Sequence, residues 1–216
     1  MLGALQLAFI DSVNLLLIGV IVAVGIAARH NYAKTTALLI AGDWCGVAGL
    51  ALIMLVIFDG LGPVVQRFVE GPVFGILLIA TGILTAVLAL RGGDNQALVQ
   101  KIMRPLHTPG PTTVATGVVL GLIQSATSVP FYGGLALLSA AGIEAQVRYA
   151  AIPLYATVAL SLPTLVALAV GWVRAKPHSA AARGFDWARA HPDQVTAAAT
   201  WAVAVLLIVL GVTHVM

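Results

Sequence analysis

Charge is what this sequence has least of. Asp, Glu, Lys and Arg make up 9% of its 216 residues, 60% are hydrophobic and the mean hydropathy is +1.02. A soluble domain carries roughly 25% charged and 45–50% apolar residues, so this composition belongs to an integral membrane protein. Cysteine is nearly missing too: Cys45 stands alone, which excludes an internal disulfide and dithiol chemistry. The five histidines, His30, His107, His178, His191 and His214, fall in loops or at the last helix end, so no zinc cluster, metal centre or other cofactor is expected. Alternating strand patterns are also lacking. The pI near 9.4 comes from bases scattered at the edges of apolar runs, which contact with anionic lipid headgroups explains without nucleic acid.

What is present is a series of apolar runs of the roughly 20 residues that a spanning helix needs. They predict an all-α, polytopic membrane bundle of six transmembrane helices, at about 4–28, 35–58, 71–90, 113–141, 148–173 and 195–215. The first run has no basic residue ahead of it, is long for a signal peptide and carries Asp11 near its middle, so it is expected to remain in the mature protein. The loops after helices 1, 3 and 5 hold Arg29 and Lys34, then Arg91, Lys101 and Arg104, then Arg174, Lys176, Arg183 and Arg189. Only Arg67 and Arg148 lie on the other face. Short basic loops stay cytoplasmic, which puts both termini on the extracytoplasmic side of a cell membrane.

The chain also resembles itself. "LAFIDS" at 7–12 recurs as "LGLIQS" at 120–125, with Asp11 opposite Gln124, and "LLIATG" at 77–82 recurs as "LLIVLG" at 206–211. A three-helix unit repeated in tandem enters the membrane from opposite sides, so the expectation is two inverted three-helix repeats, an arrangement typical of secondary transporters. The units are 1–92 and 112–216. Between them, 93–111 reads as a cytoplasmic amphipathic linker with Leu98, Ile102 and Met103 set against Gln100, Lys101 and Arg104. The loop carrying Arg183, Phe185, Trp187 and Arg189 has the same character.

Polar residues inside the apolar runs are the candidate site. Helix 1 has Asp11, Ser12 and Asn14, helix 2 has Asp43, and helix 4 has "QSATSVP", giving Gln124, Ser125, Thr127, Ser128 and a helix break at Pro130; helix 5 adds Tyr155 and Thr157. An Asp at a helix centre disfavours insertion by roughly 2.5–3.5 kcal/mol, so both acids must face protein or water. Asp11 either caps a half-helix, accepting from the amide of Val13 or Asn14, or binds a cation or proton, and the two roles are compatible. Asp43 lies between Gly42 and Gly46, a small-residue face that admits another backbone, and Gly117 with Gly121 offers a second such face. Trp44 is expected against lipid or core, Cys45 as a small packing residue, and Gly133 and Gly134 as aids to bending.

Six helices in two inverted triplets, with "DSVN" in helix 1 and a polar, proline-containing counterpart in helix 4, resemble the lysine-exporter (LysE) superfamily. The resemblance implies export of small solutes, metal cations or, in one branch, help in moving cell-envelope glycolipids. This chain lacks the Pro-Gly-Pro of the amino-acid exporters, the paired cysteines of the thiol-relay relatives and the second acid of the manganese exporters. What remains looks like the glycolipid-addressing (GAP or Sap-like) branch or an uncharacterised solute exporter.

The function expected is therefore a secondary transporter, not an enzyme, exporting a small solute or cell-envelope lipid in a step coupled to protons or cations. Asp11, Ser12, Asn14, Asp43, Gln124, Ser125, Thr127 and Ser128 would bind substrate or coupling ion. A divalent metal cation exporter, a non-transporting assembly partner of a lipid exporter and an intramembrane aspartyl protease using Asp11 and Asp43 are the alternatives. The last is opposed by "IAGD", where such proteases carry Gly-x-Gly-Asp. Membrane lipids are the expected partners, and the glycine-rich faces also allow a homodimer.

Overall fold

The polar residues interrupt the apolar runs, and the architecture follows from where they do so. The computed structural model describes residues 2–27, 31–91, 106, 108–176 and 179–215. Among them the elements are α1 Leu2–Asp11, α2 Leu15–Ala27, α3 Tyr32–Glu70, α4 Pro72–Arg91, α5 Pro111–Ala126, α6 Val129–Ser139, α7 Ala145–Ala150, α8 Ile152–Ala159, α9 Ser161–Ala175, α10 Ala180–Ala190 and α11 Pro192–Val215, with no strand. The chain is all-helical, as its composition requires.

The first apolar run is not one helix. Ser12 donates its hydroxyl back to Phe9 O at 2.5 Å and ends α1, while Asn14 Oδ1 accepts from Leu17 N at 3.0 Å and starts α2. The axes bend by 48° at this break. Asn14 is thus the cap, and of the two roles open to Asp11 from sequence the capping one falls to its neighbour. The fourth run breaks likewise: Ser128 Oγ accepts from Phe131 N at 3.1 Å, and α5 and α6 bend by 77°. Pro130, read as the break itself, sits instead in the first turn of α6, where its missing N–H costs nothing. The fifth run is divided into α7, α8 and α9, with a 43° bend before Ser161.

The second run extends to Glu70 rather than ending near 58, with a kink where Gly62 adopts φ 21° ahead of Pro63. Beyond it Val65 and Val69 pack on Ala136 of α6. Among the described residues α3 is the one helix long and apolar enough to span a bilayer, and up to four such spans are present if each bent pair counts as one; α4 and α11 contribute the shorter apolar stretches Pro72–Leu84 and Ala204–Thr213. Large apolar side chains such as Ile53, Val56, Ile76, Ile123, Leu168 and Val209 are exposed on the outside. An apolar exterior over an equally apolar core is the pattern of a membrane protein.

Glycine decides which helices touch. A Cβ on Gly42 would lie 2.2 Å from Val114 O, one on Gly46 2.5 Å from Val118 O, and one on Gly121 2.4 Å from Asp43 O, so α3 and α5 meet backbone to backbone as their small-residue faces predict. In α4 and α11, Gly82 abuts Ala204 O and Ile208, and Gly211 abuts Gly75 O and Ile79. These contacts exchange under a shift of 129 residues, the spacing of "LLIATG" and "LLIVLG". Gly133 and Gly134 do not bend α6: they clear space for Phe74 and Tyr155. The expected linker lies outside the described residues except at its end, where Gly110 leads into α5 at Pro111.

Candidate functional site

Both broken helices place their breaks together. Asp11 is the last residue of α1, at the negative end of that helix, and its Oδ1 accepts from Ser128 Oγ at the positive start of α6. Because Ser128 Oγ also accepts from Phe131 N, one hydroxyl ties the carboxyl to the amide ends of α6. Nearby, Tyr155 donates to Phe131 O at 3.1 Å and its ring lies edge-on to Phe131 at 6.1 Å, walling the break from α8.

Asp43 is fully buried in the glycine seam of α3 and α5, and its Oδ2 accepts from Gln124 Nε2 at 2.9 Å. Its Oδ1 and Gln124 Oε1 are both buried acceptors to which no donor comes among the described residues. Ser125 Oγ and Asn14 Nδ2 are buried and unpartnered in the same way. Buried polar atoms are normally satisfied, so this set has spare capacity for a proton, a cation or a polar group. Asp11 and Asp43 take different partners from one five-residue segment, Gln124 to Ser128.

Of the residues singled out from sequence, then, Asp11 joins Ser128 and Asp43 joins Gln124. Ser12 and Asn14 hold the break of α1 and α2, and Ser125 is buried beside Gln124. Thr127 stands apart: it is exposed and bonded to Ile123 O and Gln124 O of its own helix. The two breaks share a cap geometry, a side-chain oxygen accepting from the amide three residues on, at Asn14 with Leu17 and at Ser128 with Phe131. No group of three or more His, Cys, Asp or Glu able to hold a metal occurs among the described residues.

A second polar cluster was missed. Asp59 accepts from Ser139 Oγ at 2.6 Å and pairs with Arg148 at 3.2 Å, and Arg148 donates to Ser139 O at 2.7 Å, joining α3, the end of α6 and α7. The available signal was an acid inside the apolar run "LIMLVIFDGLG".

The family model described as Sap, sulfolipid-1-addressing protein, matches residues 5–213. This chain belongs to that family. No curated protein and no solved structure matches it. The match runs across both breaks, so the Sap-family chain carries its buried carboxyls within the region that defines the family, and a lipid-related role in the membrane follows.

Proposed function

We propose that this Sap-family protein is a secondary transporter that moves a cell-envelope lipid, of the anionic kind the family description names, using the seam where the α1–α2 and α5–α6 breaks meet. The observation that carries this reading is the Asp11–Ser128 contact: an intramembrane, half-buried carboxyl held between two broken helices is where transporters bind substrate or coupling ion. Asp11 is the group that exchanges a proton or cation. Asp43, Gln124, Ser125 and Asn14 supply the remaining polar surface, and no catalysis is involved.

Two inverted repeats, 1–92 and 112–216, of three membrane passes each underlie the proposal. The exchange of contacts between Gly82 and Gly211 supports them, as do the matched caps and the antiparallel α4–α11 pair. The same arrangement supports kinship with the lysine-exporter superfamily. The ends of α2, α3 and α9 meet where Arg174 donates to Gly25 O and lies over Tyr32. That gathers Lys34, Arg174 and Lys176 at one end, which supports a cytoplasmic placement for it and extracytoplasmic termini.

The test is reconstitution into vesicles carrying a headgroup-labelled anionic lipid, with loss of the outward-facing label followed by an impermeant quencher. Lipid movement that requires a pH gradient is expected. A second reading, an assembly partner that moves nothing itself, is favoured by the backbone-to-backbone glycine contacts, which hold α3 on α5 and α4 on α11 rigidly. Absence of movement from well-folded protein would give it precedence.

A further inference from the structure

Between them, α3 and α9 line a groove of about 910 Å³, within the roughly 300–1,000 Å³ of ligand clefts. Its walls are apolar, with Ala33, Ala37, Ile40, Ala41 and Leu168 among them. Along α3 it runs from Tyr32 to Cys45, about 20 Å at 1.5 Å per residue, more than the roughly 15 Å half-thickness of a bilayer's hydrocarbon core. Cys45, expected to be a packing residue, is exposed here instead. Tyr32 donates to Ala167 O at 2.9 Å and Trp44 Nε1 to Thr157 Oγ1 at 3.2 Å, so both ends of the groove are pinned to the facing segment.

Only one end carries charge. Arg174 lies 5.1 Å over the ring of Tyr32 and Lys176 4.4 Å over that of Trp172, and both aromatic residues line the groove. A slot as deep as one leaflet, apolar along its length and bearing two cations at its shallow end, complements a molecule with a chain and an anionic head. We infer that the α3–α9 groove binds a membrane lipid with an anionic headgroup, one acyl chain lying along Ile40 and Ala41 and the head against Arg174 and Lys176. This site is separate from the carboxyl seam and stands whether or not the protein transports.

Trp44 and Trp172 are built-in reporters. With Trp187→Phe and Trp201→Phe in the full chain, their fluorescence is read in phosphatidylcholine vesicles doped with dibrominated phosphatidylglycerol or with dibrominated phosphatidylcholine. The anionic lipid is expected to reach half-maximal quenching at a mole fraction several-fold lower. Lys176→Gln, which leaves the Arg174–Gly25 bond in place, should weaken that preference about fivefold. Ala41→Phe should abolish it by filling the slot. Equal quenching by both lipids, or a folded Ala41→Phe protein that keeps the preference, would overturn the assignment.

Discussion

Replacing Gly42 with alanine puts the α3–α5 seam to the test. The added Cβ would meet Val114 O at 2.2 Å, Val114 C at 3.0 Å and Gly117 Cα at 3.1 Å. All three are backbone atoms, so no side chain can rotate aside, and the helices must part by about 0.8 Å before the shortest contact reaches 3.0 Å. Such a shift stretches the adjoining Asp43–Gln124 bond, now 2.9 Å, past useful range. Overpacking costs about 1–3 kcal/mol and a lost bond to a carboxyl about 1.5–3 kcal/mol, so a loss of about 2.5–6 kcal/mol is expected. Gly49, two turns along the same helix, has nothing within 4 Å of its would-be Cβ. Gly49→Ala should instead stabilise by up to about 1 kcal/mol through helix propensity. Equilibrium unfolding in mixed micelles, followed by far-UV circular dichroism, compares the two variants with wild type. A Gly42→Ala protein within about 0.5 kcal/mol of wild type, or a Gly49→Ala protein destabilised as much as Gly42→Ala, would refute the argument.

Three further outcomes follow. In the same unfolding assay Asn14→Ala should cost about 1 kcal/mol, the worth of a cap, and Ser128→Ala about 1–3 kcal/mol more because Asp11 also loses its donor; equal losses would contradict the Asp11–Ser128 contact. A double-mutant cycle of Asp59→Asn and Arg148→Gln should show coupling of about 0.5–1 kcal/mol, since both side chains keep some solvent contact, and zero coupling would dissolve the cluster. In a Cys45→Ser background, an impermeant maleimide applied to intact cells should label Glu144→Cys at once and Lys34→Cys only after permeabilisation, and the reverse order would invert the proposed orientation.

Much of the candidate site was legible because an acid in an apolar run is conspicuous: Asp11, Asp43, Gln124 and Ser128 declare themselves by the cost of burying them. The glycine faces were legible for a similar reason, as Gly42, Gly46, Gly117 and Gly121 recur at the four-residue spacing of one helix face. The breaks were harder. Hydropathy measures how long an apolar run is, whereas the end of a helix is set by which side chain takes the free amides, here Asn14 and Ser128, the latter two residues ahead of the Pro130 read as the break. Asp59 escaped notice because its partners, Ser139 and Arg148, come from distant segments, and the groove at Cys45 because it exists only where α9 lies against α3.

The claim that most needs measuring is that Asp11 carries the proton or cation exchanged for lipid. Proton movement accompanying lipid translocation, counted in vesicles holding wild-type or Asp11→Asn protein, does this, because asparagine keeps an oxygen to accept from Ser128 while removing the exchangeable charge. Wild type should move protons with lipid and a correctly folded Asp11→Asn protein should do neither. Undiminished, gradient-driven translocation by Asp11→Asn would contradict the account.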